Sequence, residues 1–207
     1  MHSQGDVAYC PAKGPCKKAS GNVGFKYPNG LVRGKDGKIY VPSSWLGKWW
    51  IFEAQDDFSL KKIEELAPGM PVDNISVDED GDIYAAAFPD ALQFVRTLAD
   101  PYQIESPTTI WKFTRSIGSD GKVSYLQQKV IEDKYSQGIG GATIAVHDSK
   151  TGRLFLGGMF RLDIDQGSMT DSMQAPSHRT SASVIRNRQG KPYPPRCNGG
   201  TAYQAFS

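Results

Sequence analysis

The sequence predicts an all-β chain, part of a β-propeller with only about three blades' worth present. Three observations carry this. A segment of strand, Asp-Gly turn and strand occurs twice, from Pro28 to Val41 and again from Val72 to Ala85. Turn pairs at Asp36-Gly37, Asp80-Gly81 and Asp120-Gly121, with Thr151-Gly152 as a looser fourth, are flanked by β-branched and aromatic residues, the pattern of hairpins. Finally, four-stranded units recur at roughly 40 residues or more, the spacing of propeller blades. The step is 44 residues from Gly37 to Gly81 and 71 from Gly81 to Gly152, so the second unit carries an insert.

Taken in order, Asp6 to Cys10 and Cys16 to Phe25 form a leading pair, read as the outer half of a preceding blade. Strands follow near Leu31 to Arg33, Lys38 to Pro42 and Lys48 to Glu53. The stretch Leu60 to Leu66 has helical periodicity but is short enough to be an edge strand. A second set runs near Ile75 to Asp78, Asp82 to Phe88, Thr109 to Arg115 and Lys122 to Ile131, with an insertion from about Asp90 to Ser106. The third set begins at Gly141 to Val146 and continues through Arg153 to Phe160. Residues 1–165 are therefore one partial propeller. Residues 166–207, rich in Gln, Ser, Thr, Pro, Gly and Arg, are predicted to be a disordered tail, with Leu162, Ile164, Val184 and Ile185 as extra outer strands in the rival reading.

Composition excludes several classes. The 207 residues carry 24 basic and 22 acidic side chains, a net charge of +2 that gives no electrostatic case for a nucleic-acid partner. Lys13, Lys17 and Lys18 read as a solvated loop. No apolar run is long enough to span a membrane, and Met1 to Asp6 is polar where a signal peptide would be apolar. That start argues for a cytosolic chain only if Met1 is the true beginning, so compartment stays open. A hydrophobic content of 39% is enough for a core. Of three cysteines, Cys10 and Cys16 flank a Pro-Ala-Lys-Gly-Pro turn that permits a local disulfide, while Cys197 lies far away, and the spacing matches no metal motif.

The polar residues at the head of each repeat are the candidate site. Asn29 and Asp73 both stand eight residues before their turn glycines, so they occupy equivalent places in two blades. A residue just before an innermost strand points toward the propeller axis, where Asn29, Asp73 and Asn74 would meet. One carboxylate and two amide oxygens form a hard, oxygen-only set suited to Ca²⁺ rather than Zn²⁺. The same residues also suit turns, whose backbone Asn and Asp cap.

Other candidates point elsewhere. Asp78 to Asp82 lacks the downstream Glu of a calcium loop and reads as a solvated β-turn. Trp45, Trp49, Trp50 and Phe52 could wall a ligand but fit inter-blade packing better. Ser43-Ser44 has no nucleophile-elbow glycines around it. His2 and His178 lie in the terminal segments and His147 reads as a surface residue before the turn at Asp148, so no histidine is a good general base and the catalytic residues are unassigned.

The segments Tyr27 to Leu31, Asp36 to Val41, Val72 to Asp78 and Gly81 to Tyr84 resemble the C-terminal half of the serum paraoxonase/arylesterase family, within the gluconolactonase and senescence-marker-protein-like group of six-bladed, calcium-dependent propellers. Gly141 to Ala145 and Gly152 to Gly157 resemble that family's last blade, and the resemblance covers roughly residues 5 to 161. It implies that Asn29, Asp73 and Asn74 bind a catalytic calcium, with a small-molecule lactone or ester as substrate. The ion would act as a Lewis acid on the carbonyl. The resemblance also implies missing parts: a Glu and a further Asn ligand, and the histidines proposed to activate water, belong to the family's N-terminal half, and this chain begins after them. Where paraoxonases tend to carry a His after the Asp-Asn strand pair, this sequence has Phe88 before Pro89.

The expected function is thus a calcium-dependent lactonase or arylesterase-like hydrolase, weak or inactive as this chain alone. An alternative is a non-catalytic propeller fragment that binds a small ligand or partner through Trp45 to Phe52. Strictosidine-synthase-like condensing chemistry is a third reading, and the retained trio counts against it. Sequence gives no oligomeric state.

Overall fold

A computed structural model describes residues 5–101, 103–136, 138–158 and 165–168. Thirteen strands and one α-helix are found among them: β1 (Ala8–Tyr9), β2 (Lys17–Lys18), β3 (Val32–Arg33), β4 (Ile39–Ser43), β5 (Lys48–Ala54), β6 (Leu60–Leu66), β7 (Val72–Val77), β8 (Ile83–Ala87), α1 (Ala91–Ala99), β9 (Thr108–Ile117), β10 (Val123–Asp133), β11 (Ala142–Asp148), β12 (Arg153–Gly158) and β13 (Asp165–Ser168). They form antiparallel meanders in the orders β3-β4-β5-β6, β7-β8-β9-β10 and β11-β12-β13, preceded by the β1-β2 pair. Sequence-adjacent strands pair throughout, and the first strands of the second and third sheets, β7 and β11, lie against each other. These are blades of a partial β-propeller, as the repeat predicts.

The middle blade shows why the strands are so apolar. Every residue of β8 is buried, because both faces of this strand are covered. Ile83, Ala85 and Ala87 face the first blade, where they join Tyr40, Trp49, Ile51, Leu66, Val72, Ile75 and Phe113 in one core. Tyr84 and Ala86 face the third blade and join Ile110, Val130, Ala142, Ala145, Leu154 and Leu156 in a second. Period-two alternation thus feeds two cores from one strand. The outer face of the first blade is covered by the N-terminal strap, whose Val7 and Phe25 pack on Val41, Trp50 and Phe52.

Several local readings are decided by this packing. Leu60–Leu66 is strand β6, paired along β5, because the edge of the first blade supplies the main-chain partners a seven-residue helix would lack. Cys10 and Cys16 are joined as a disulfide across the turn of the strap. Part of the insertion forms α1, which the sequence reading left without an element. Asp90 caps it by accepting from Gln93 N at 2.8 Å, and Phe94 stacks on Phe88 at 3.8 Å between centroids. Strand β13 pairs antiparallel along β12, from Arg153 with Ser168 to Leu156 with Asp165. Residues 169–207 of the expected tail, with Val184 and Ile185, lie outside the described residues, as do Leu162 and Ile164. No described helix is long and apolar enough to cross a membrane.

Candidate metal centre

At the head of each blade the inner strand gains one residue on its partner. Pro28 faces Ser43 and Val32 faces Tyr40, four steps against three. In the second blade Val72 faces Ala87 and Ile75 faces Ala85, and in the third Ala142 faces Gly158 and Ile144 faces Gly157. Such bulges re-aim side chains. In the second blade the extra residue falls at Asp73-Asn74, so two consecutive side chains turn toward one side, where in a regular strand they would oppose each other.

The structure brings all three predicted residues together. Asn29 Nδ2 and Asn74 Nδ2 both donate to Asp73 Oδ1, the latter at 3.0 Å. Asn29 Oδ1 accepts from Gly30 N at 2.9 Å, and Asn74 Nδ2 also donates to the carbonyl of Thr143 in the third blade at 3.1 Å. Asp73 is only 7% exposed, and none of the ion pairs among the described residues involves it. Burial without a cation pushes its carboxyl up to about 6, against a smaller opposing effect of the Asn29 hydrogen bond. A buried carboxylate that lacks a cation, with two amides on it, is chemically fitted to take a hard divalent ion. Among the described residues no three His, Cys, Asp or Glu side chains gather to hold a metal, and Asp73 is the single carboxylate of this trio.

Sequence reasoning missed Gly30. A Cβ there would lie 2.5 Å from Asn74 Oδ1, closer than real contacts allow, and 3.3 Å from Asn74 Cγ. Gly30→Ala is expected to displace the Asn74 amide and to destabilise the fold by about 1–3 kcal/mol, the usual cost of overpacking; denaturant unfolding of the variant checks it. The signal was in the repeat, because Gly30 stands 44 residues before Asn74 and is the blade-one counterpart of that residue.

One expectation is overturned at the other end of the same strands, and one is narrowed. His147 is not a surface residue, since its side chain is 10% exposed and its Nδ1 lies 2.7 Å from Asp78 Oδ2. The hairpin turn from Asp78 to Asp82 is solvated at Glu79 and Asp80, but its first residue, Asp78, is buried: its side chain is 1% exposed, and Oδ1 accepts from Asp80 N (3.0 Å) and Asp82 N (2.9 Å). The reason is inter-blade approach, which buries both residues, with Tyr84 packed at 4.7 Å from the imidazole. His147 lies at the end of β11 away from Asn74, so it is no base for this centre. Of the four aromatic candidates, Trp49, Trp50 and Phe52 are core residues, whereas Trp45 is exposed beside Tyr27, at 6.1 Å between rings.

Comparison with known proteins gives a family. No curated protein matches the chain. Among solved structures it is similar to selenomethionine-substituted virginiamycin B lyase from Staphylococcus aureus, at 12% identity and a TM-score of 0.27, over 69% of this chain and 56% of that one. The chain thus spans little more than half the length of that relative. A family model described as Arylesterase matches residues 7–164, from the strap through the third blade. With most of its length inside that match, the chain belongs to the arylesterase family, whose members are esterase- or lactonase-type hydrolases and generally calcium-dependent.

Proposed function

We propose that this chain carries one side of a calcium centre serving the hydrolysis of carboxylic esters or lactones. The observation that supports it most is Asp73, a buried carboxylate without a cationic partner among the described residues, at the point where two blades present Asn29 and Asn74. Bound there, calcium would supply Lewis-acid polarisation of the substrate carbonyl and stabilise developing oxyanion charge. The chain's own residues have narrower tasks. Asp73 contributes the negative charge, and Asn29 and Asn74 contribute neutral amide oxygens. Tyr27 and Trp45, two residues before Asn29 and two after the Ser43 that faces Pro28, offer exposed apolar surface to the hydrocarbon part of an ester.

Three side-chain ligands fall short of the six to eight oxygens calcium takes. The chain by itself is therefore expected to bind calcium loosely and to hydrolyse slowly. Thermal unfolding with and without millimolar Ca²⁺, on wild type and on Asn29→Ala and Asp73→Ala, tests the reading. Wild type should be stabilised by calcium and both variants should not; equal stabilisation in all three would sink the assignment. The alternative, a binding module without catalysis, rests on the exposed Trp45 alone now that Trp49 and Trp50 are buried.

A further inference from the structure

Strand β7 is fastened to β11 through side chains at every second residue. Asn74 Nδ2 donates to Thr143 O at 3.1 Å, Ser76 Oγ donates to Ala145 O at 2.6 Å, and Asp78 Oδ2 accepts from His147 Nδ1 at 2.7 Å. Each rung joins residues 69 apart in sequence. A constant offset at period two means that the strands run parallel and in step. The first blade offers nothing comparable, because its counterparts of Asn74, Ser76 and Asp78, 44 residues earlier, are Gly30, Val32 and Gly34. Polar side chains therefore tie this face of β7 to the third blade, whereas apolar packing joins it to the first.

The first rung settles which end of the Asn74 amide faces the site. Both N–H bonds of Nδ2 are committed, one to Asp73 Oδ1 and one to Thr143 O, so Oδ1 is left over Gly30. Half a turn of the amide would set Oδ1 against a carboxylate and a carbonyl, with no proton between the oxygens. That preference holds only while the β11 backbone keeps Thr143 O within reach. The other two rungs do that: Ser76 grips the next inward-facing carbonyl, and the Asp78 carboxylate, fixed by two backbone N–H groups, pins His147.

We propose that the third blade is a positioning device for the calcium centre, with Ser76 and His147 as positioning residues that aim Asn74 Oδ1 through Thr143 without touching the ion. This rests on the calcium reading of Asn29, Asp73 and Asn74. The test is calcium affinity by isothermal titration, alongside calcium-free melting temperature, for the full chain and for Ser76→Ala, Ser76→Thr, His147→Ala, His147→Asn and Asp73→Ala. Ser76→Ala and His147→Ala should each weaken binding about fivefold, within the range by which residues remote from a ligand modulate coupling. Ser76→Thr and His147→Asn, which keep a donor, should restore affinity to within about twofold. A merely structural role would lower the melting temperature and leave affinity unchanged. If Asp73→Ala loses calcium while Ser76→Ala and His147→Ala bind like wild type, the positioning role is overturned and the calcium reading stands. If Asp73→Ala binds like wild type, both fall. Should His147→Ala fail to fold, Ser76→Ala decides alone, since it deletes one hydroxyl from a half-buried position.

Discussion

Asp73→Asn is expected to stabilise the calcium-free protein by about 3 kcal/mol at pH 7 while abolishing its stabilisation by calcium. The magnitude follows from a carboxyl raised from 3.8 to about 6, at about 1.4 kcal/mol per unit. The sign follows from linkage: a carboxyl with a raised folded-state pKa contributes fully below its unfolded pKa, and that contribution is lost as pH rises through the folded one. The stability gap between wild type and variant should thus be small near pH 3 and open between about pH 4 and 6. It should then stay level. Denaturant unfolding in EGTA from pH 3 to 8 measures this, and comparing the two proteins isolates Asp73 from groups such as Glu65, which hydrogen bonds from Lys48, Lys62 and Trp50 hold down at about 2. With calcium at a hundred times its dissociation constant, wild type should gain about 2.7 kcal/mol and the variant nothing. A gap that does not vary with pH would show that Asp73 carries no buried charge.

The second large effect concerns the seam between the first two blades. Trp49 is fully buried, packed 3.9 Å from Phe113 and against Tyr40 and Leu66, and its Nε1 has no hydrogen-bond partner among the described residues. Trp49→Ala should cost about 3–5 kcal/mol, the usual loss for a buried aromatic. Trp49→Phe should cost much less, under about 1.5 kcal/mol, because the lost volume is offset by removal of an unsatisfied donor. Denaturation midpoints of the two variants give the answer. A Phe variant as unstable as the Ala variant would mean that the indole N–H is satisfied after all.

The strands were largely legible in the sequence. The first three strands of the first blade and all four of the second lie where the apolar runs and Asp-Gly turns put them, since turn chemistry and alternation act over a few residues, whereas Leu60–Leu66 was left open between an edge strand and a helical turn. The insertion was less legible. Asp90 caps α1, but a nine-residue helix leaves a weak periodic signal, and its stability depends on Phe94 stacking on Phe88. His147 was misjudged for a similar reason. Its neighbours in sequence are a turn, while its partner Asp78 is 69 residues away in another blade.

Sequence alone determined the repeat, the hairpins and the equivalence of Asn29 with Asp73, because each of these is written in local pattern and spacing. Tertiary structure alone decided that Asp73 is buried with no cationic side chain among the described residues, that one amide end of Asn74 is chosen, and that Gly30 must be small. Those properties arise where residues 44 and 69 apart are pressed together by inter-blade cores and re-aimed by bulges, and a pattern of period two contains no term for either.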